Sequence, residues 1–109
     1  MHLSALRKAG RSVPEYRLRP KAQADIEDIW NYTGRTWGIR QARKYISALR
    51  DACNDLVMNP DIGIIRDDLY TGLRVYSAGK HLIFYLTMER GIDVVRILHE
   101  RMDSKRQLP

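Results

Sequence analysis

Three histidines and one cysteine are the residues best suited to metal or nucleophilic chemistry, and their spacing supports neither. His2, His81, His99 and Cys53 include no pair at the separation of C-x-x-C or H-x-x-x-H from which a zinc site is built, so no metal is expected. Cys53 falls on an apolar helical stripe, where a free cysteine packs as a small hydrophobe. No glycine-rich turn follows a strand as a phosphate loop or dinucleotide fingerprint requires, so no cofactor is expected. Acid–base cleavage of RNA asks for less, only cations to stabilise phosphate charge and a group to move protons. Arg74, Lys80, His81, Arg96, His99 and Arg101 are of the right types. Arg96, read as lying between Val94 and Leu98 on one strand face, suits two roles equally: an interior-facing functional residue, or a structural arginine paired with a buried carboxylate or carbonyl groups. His99, at a strand end, suits hydrogen bonding of the following turn better than contact or catalysis. Asp25, Glu27 and Asp28 read as a solvated helix face, and Trp30 and Trp37 as core or hairpin-packing residues. None of these is assigned a catalytic role.

The elements that must position these groups follow from length and pattern. The chain has 109 residues and 12.7 kDa, with 44% hydrophobic and 29% charged residues, enough for one soluble domain and its core. A single cysteine leaves no intrachain disulfide and suits a reducing cytosol. The longest apolar runs are far shorter than the roughly 20 residues of a membrane span, and no secretory h-region is seen near Met1, so a cytoplasmic location without membrane contact is expected. The formal charge of +6 is concentrated at the ends, and residues 22–95 are nearly neutral. Residues 1–14, interrupted by Gly10, Ser12 and Pro14, read as a mobile N-terminal extension, and residues 15–109 as the domain.

Within that domain, Tyr16 to Arg19 alternate as an edge strand and Pro20 occupies a first helical turn. Ala22, Ile26, Ile29, Trp30 and Trp37 recur at helical spacing, and Gly34 and Gly38 break the pattern. A second stripe, Ala42, Tyr45, Ile46, Leu49, Ala52, Cys53, Leu56 and Val57, ends at Asn59-Pro60. So short a link makes an antiparallel helical hairpin. Residues 73–77, 81–88 and 92–99 are rich in β-branched and aromatic residues and are separated by hairpin-sized gaps, predicting an antiparallel meander. The expected fold is α+β, β-α-α-β-β-β, with the hairpin packed on an antiparallel sheet in two layers.

The ordered series Tyr16-x-Leu18-x-Pro20-x-Ala22-x-x-Asp25-Ile26-x-x-Ile29-x-x-Tyr32, Trp37-Gly38-x-x-Gln41-Ala42-x-x-Tyr45, Asn59-Pro60-x-x-Gly63, Gly72-Leu73-Arg74, His81-x-Ile83-Phe84-Tyr85 and Val94 to Asp103 resembles ParE toxins of the ParE/RelE toxin–antitoxin superfamily. The resemblance covers residues 16 to about 107, and the His-x-Arg-Met-Asp ending favours ParE over RelE-type relatives. It implies a helical hairpin on a sheet. It also implies a type II toxin that inhibits DNA gyrase by protein binding, without catalysis or a small-molecule substrate, and is neutralised by a ParD-type antitoxin. An antitoxin segment lying along the hairpin and reaching the sheet would meet Arg74, Arg96, Trp30 and Tyr45. The gyrase-facing surface is expected at His99, Arg101, Met102, Lys105 and Arg106, and no sequence-specific nucleic-acid binding is expected. RelE-type relatives cut mRNA on the ribosome, and that activity, or a non-toxic binding role, is the alternative. The absence of tyrosine and histidine from residues 101–109 weighs against the ribonuclease.

Overall fold

Strand β1 (Glu15–Leu18) leads directly into helix α1 (Pro20–Trp37), whose Pro20 sits in the first turn, where its missing N–H loses no helical bond. The computed structural model describes residues 15–108, and the expected extension over residues 1–14 lies outside the described residues. Gly34 does not interrupt α1. The break comes only at Gly38, where φ is 96°, a left-handed value that favours glycine. Helix α2 (Ile39–Met58) then returns antiparallel to α1. Strands β2 (Ile64–Ile65), β3 (Arg74–Ala78), β4 (His81–Met88) and β5 (Gly91–His99) follow, with a final turn of helix, α3 (Ser104–Gln107).

The five strands lie in the order β1-β5-β4-β3-β2. The meander from β2 to β5 is antiparallel as expected, but β1 pairs in parallel with β5, so the sheet is mixed. Both edge strands are short, which limits exposed pairing edges.

Ile26, Ile29, Ile46, Leu49 and Leu56 from the hairpin pack against Ile83, Tyr85, Ile92, Val94 and Ile97 of the sheet. The expectation of two layers is incomplete. Leu73, Phe84, Val95, Leu98 and Leu108 form a second cluster on the opposite face, with Leu69, Val75, Leu82 and Leu86 packed against it. This two-sided burial explains why the middle of β4 is apolar at nearly every residue. It also makes Leu108 a core residue, so the segment that follows β5 is part of the fold.

A bulge in β5 changes which residues share a face. Phe84 pairs with Arg96 but Tyr85 pairs with Val94, leaving Val95 as the extra residue. Val94 therefore belongs to the helix-side cluster and Leu98 to the other. The reading that places Arg96 between them on one face is corrected on this ground.

The Asn59-Pro60-x-x-Gly63 motif is a packing device. The Tyr85 hydroxyl donates to the Pro60 carbonyl at 2.7 Å and accepts from the Gly63 N–H at 2.9 Å. A Cβ on Gly63 would lie 2.7 Å from Tyr85 Cε1, closer than side chains tolerate. Arg74 closes the same loop, donating to the carbonyls of Asp61 at 3.0 Å and Gly63 at 2.8 Å.

Candidate functional site

The end of the sheet where β4 begins and β5 finishes faces the turn end of the helical hairpin, leaving a groove of about 760 Å³ between them. Its walls are Asp28, Ile29, Tyr32, Thr33 and Trp37 from α1, Gln41 and Tyr45 from α2, Lys80 and His81 at the β3–β4 turn, and His99 and Met102. Trp37 is 70% exposed, Tyr32 61% and Met102 49%. Three large apolar or aromatic side chains left in water around one concavity form the kind of patch that marks a binding surface. Trp37 is thus not the hairpin-packing residue expected, because it lies in the last turn of α1 beyond the sheet.

A hydrogen-bonded chain forms the floor. The Lys80 backbone N–H donates to Tyr45 Oη at 2.9 Å, and Tyr45 Oη lies 2.6 Å from His81 Nδ1. All three groups are satisfied when Oη–H donates to Nδ1, which places the His81 proton on Nε2. His81 and His99 are paired across β4 and β5, with ring centroids 5.2 Å apart in an edge-on arrangement. His99 Nδ1 accepts the Arg101 N–H at 3.1 Å, the turn-stabilising bond expected of it, which leaves Nε2 as its donor nitrogen. Both Nδ1 lone pairs are thus engaged within the fold, and the remaining ring nitrogen of each is a donor.

Burial, and next the neighbouring His99 ring, push the His81 pKa down to about 4. The unfolded chain takes up this proton near pH 6.5, whereas the folded chain resists until about pH 4. The contribution of this group to stability is therefore fully present above pH 6.5 and is lost as pH falls toward 4. It amounts to roughly 2 kcal/mol once screening of a partly exposed ring is allowed for. An NMR titration of the His81 ring should show a midpoint near 4, and a midpoint at 6.5 or above would overturn the neutral assignment.

The remaining expected contact residues are dispersed. Trp30 is half-buried against the core and lines a separate crease between α1 and α2 with Ile46 and Arg50. Arg74 lies at the β3 end beside Asp61 and Gly63, away from the groove. Arg96 proves structural: Nε and Nη2 each donate to the Asp25 carboxylate at 2.8 Å, and Nη1 donates to the Gln107 carbonyl at 2.9 Å. Asp25 also accepts the Ile97 N–H at 2.9 Å, capping β5 where it runs past β1. Reading Asp25 as solvated is thus corrected, while Glu27 and Asp28 are exposed as expected. Arg101, Lys105 and Arg106 are exposed beyond His99, with Arg106 held loosely to Asp103 at 3.8 Å. Cys53 is buried, which pushes its thiol pKa up to about 11, so it packs rather than reacts. Asp28, Tyr32, Trp37, Gln41, Lys80 and His81 line the groove without having been among the expected contact residues; the Trp37-Gly38 step and the His81-x-Ile83-Phe84-Tyr85 series were the signals for Trp37 and His81.

Among the described residues, no cluster of His, Cys, Asp and Glu offers a metal site, and no helix is long and apolar enough to cross a membrane. Comparison with known proteins adds what geometry does not. Residues 16–104 match the family described as the ParE toxin of the parDE type II toxin–antitoxin system. The chain is 47% identical over 94 residues to Toxin ParE1 of Mycobacterium tuberculosis, covering 85% of this chain and 96% of that protein. It is 33% identical over 93 residues to Toxin ParE1 of Caulobacter vibrioides, with the same two coverages. Toxin ParE of Escherichia coli is 36% identical over 95 residues, covering 85% of this chain and 91% of that protein. A solved chain from the chromosomal ParDE system of P. aeruginosa shares the fold at a TM-score of 0.68 and 18% identity, covering 80% of this chain and 96% of its own. With the helical hairpin on its sheet and nearly all of the described chain spanned by these matches, the protein belongs to the ParE toxin family of type II toxin–antitoxin systems.

Proposed function

We propose that this toxin inhibits DNA gyrase in the cytoplasm by binding it, and that a ParD-type antitoxin neutralises it by seating a segment in the groove. The supporting observation is that Tyr45, an expected antitoxin contact, lines the same groove as His99 and Met102, expected gyrase contacts. An antitoxin segment seated there covers part of the gyrase-facing surface, so neutralisation is competition for one place. Arg101, Lys105 and Arg106 extend that surface beyond the groove, and Trp30 extends the antitoxin track into the crease between the helices. Arg74 and Arg96 serve this surface indirectly, by holding the 60–63 loop and the β5 edge.

A binding role without catalysis is supported by the two imidazoles, whose Nδ1 atoms are both engaged within the fold, by Tyr45 Oη and by the Arg101 N–H, so that neither lone pair is free for a general base. Donors at His81 and His99, with Lys80 beside them, suit the carboxylates and carbonyls of an acidic peptide. A segment that folds on docking can wrap the groove while remaining open to proteolysis when free.

The test is controlled expression with and without the neighbouring antitoxin, with a supercoiling assay on purified gyrase and mapping of mRNA ends. Growth arrest, loss of supercoiling relieved by antitoxin, and intact mRNA are expected. Ribosome-dependent mRNA cuts with normal supercoiling would transfer the activity to the RelE type. No growth arrest in a host with sensitive gyrase would leave a binding partner only.

A further inference from the structure

The near-neutral stretch from 22 to 95 is strongly polarised once its charges are placed on the helices. Between Asp28 and Asp51 lie Arg35, Arg40, Arg43, Lys44 and Arg50 with no acidic residue, whereas residues 51–68 carry five acids and a single arginine. Arg35 sits in the last turn of α1, and Arg40, Arg43 and Lys44 occupy the first two turns of α2. Arg40 and Lys44 lie on the face opposite the buried Ala42, Ile46 and Leu49, and Arg43 lies on its flank. All four of these cations are exposed and make no ion pair or hydrogen bond through their side chains among the described residues. Arg50 shares the crease with Glu27 and is set apart from this group.

Helix stability does not account for the pattern. Helix α2 has no acidic residue in its first turn and no basic residue in its last, while Asp51 and Asp55 lie toward its C-terminal end. Cations near an N-terminus and anions near a C-terminus oppose the helix dipole, by about 0.3–1 kcal/mol for each charge in the terminal turns. A negatively charged partner does account for it. Three of the four cations are arginines, whose forked donors match phosphate as they match carboxylate, and no acidic residue lies among them between Asp28 and Asp51.

We propose that this end of the helical hairpin contacts the phosphate backbone of duplex DNA, without reading its sequence. The choice of DNA as the polyanion rests on the gyrase reading, since the toxin would there meet an enzyme holding a duplex. The surface itself does not depend on that reading. About three phosphate contacts from four cations imply a slope near −2.7 in log affinity against log salt.

The experiment uses purified full-length toxin and a random 20-base-pair duplex, with no gyrase present, followed by fluorescence anisotropy. Binding at 50 mM salt should weaken roughly 40-fold at 200 mM. The double variant R40E/R43E should bind at least tenfold more weakly at 50 mM salt. The control R17E/K21E changes the net charge equally at exposed positions and should lose less than threefold. Thermal unfolding of R40E/R43E should be unchanged or raised, because the new acids favour the start of α2. Equal losses in both double variants would mean general basicity only and would overturn the inference. Absence of DNA binding, or binding of R40E/R43E at full strength, would also overturn it. So would transfer of the tip-dependent binding to anionic phosphatidylserine vesicles in place of DNA. Gyrase inhibition without DNA binding by the toxin would remove this inference and leave the proposed function standing. DNA binding lost in R40E/R43E with no gyrase inhibition would support the surface and remove the proposed target.

Discussion

Asp25→Ala is expected to lower the free energy of unfolding by about 3–5 kcal/mol, the effect of leaving one member of a buried ion pair without its partner. The Asp25 and Arg96 side chains are only 11% and 14% exposed. Both carboxylate oxygens are engaged by the guanidinium, and one of them also accepts the Ile97 N–H. Removing the carboxylate strands a charge and a backbone donor together, and the unsatisfied donor alone accounts for about 1–3 kcal/mol. A domain of this size has about 5–15 kcal/mol in all, so the melting temperature should fall by roughly 15–30 °C. Asp25→Asn keeps an acceptor for Ile97 but loses the charge, and should retain part of the difference. Denaturant unfolding of the three proteins checks this. A change below about 0.5 kcal/mol in Asp25→Ala would return Asp25 to the solvated face and free Arg96 for a partner. Until that control is made, lost antitoxin affinity in an Arg96 variant reports on folding as much as on contact.

The same pair shows where reading the chain alone stops. The two helices and the three long strands were legible because their buried faces repeat every 3.6 or 2 residues, and Pro20, Gly38 and Asn59-Pro60 punctuate them. Strand β2 has two residues, too few for any period, and the parallel direction of β1 depends on a partner strand some 76 positions away. Val95 slips one residue into β5 without altering composition, so simple alternation puts Arg96 on the wrong neighbours. Asp25 looks like its helix-face neighbours Glu27 and Asp28 because its partner lies 71 residues away. Trp37 continues the apolar period of α1, yet at that point the helix has outrun the sheet beneath it. The groove was legible only in parts, as separate Tyr45, His99 and Met102, because its walls come from four elements that only tertiary packing brings together.

Trp37→Ala should weaken antitoxin binding about 100-fold while leaving the toxin as stable as before. Large effects on affinity concentrate in tryptophan, tyrosine and arginine near the centre of an interface, at about 2–4 kcal/mol each, and 1.4 kcal/mol is tenfold. Trp37 combines the features of such an anchor: 70% exposed in the free chain, and sharing the groove with the exposed Tyr32 and Met102. Because so little of its indole is buried in the fold, truncation should change stability by no more than about 0.5 kcal/mol. Trp30 makes the contrast. It packs against the core, so Trp30→Ala would lower stability and binding together. Titration calorimetry with the cognate antitoxin, beside thermal unfolding of both variants, separates the two tryptophans. Unchanged affinity in a folded Trp37→Ala protein would place the antitoxin elsewhere, most directly along the Trp30 crease, and competition with gyrase through the groove would fail with it. If affinity falls as expected, Met102→Ala should weaken antitoxin and gyrase binding alike, because Met102 lines the groove that both are proposed to occupy.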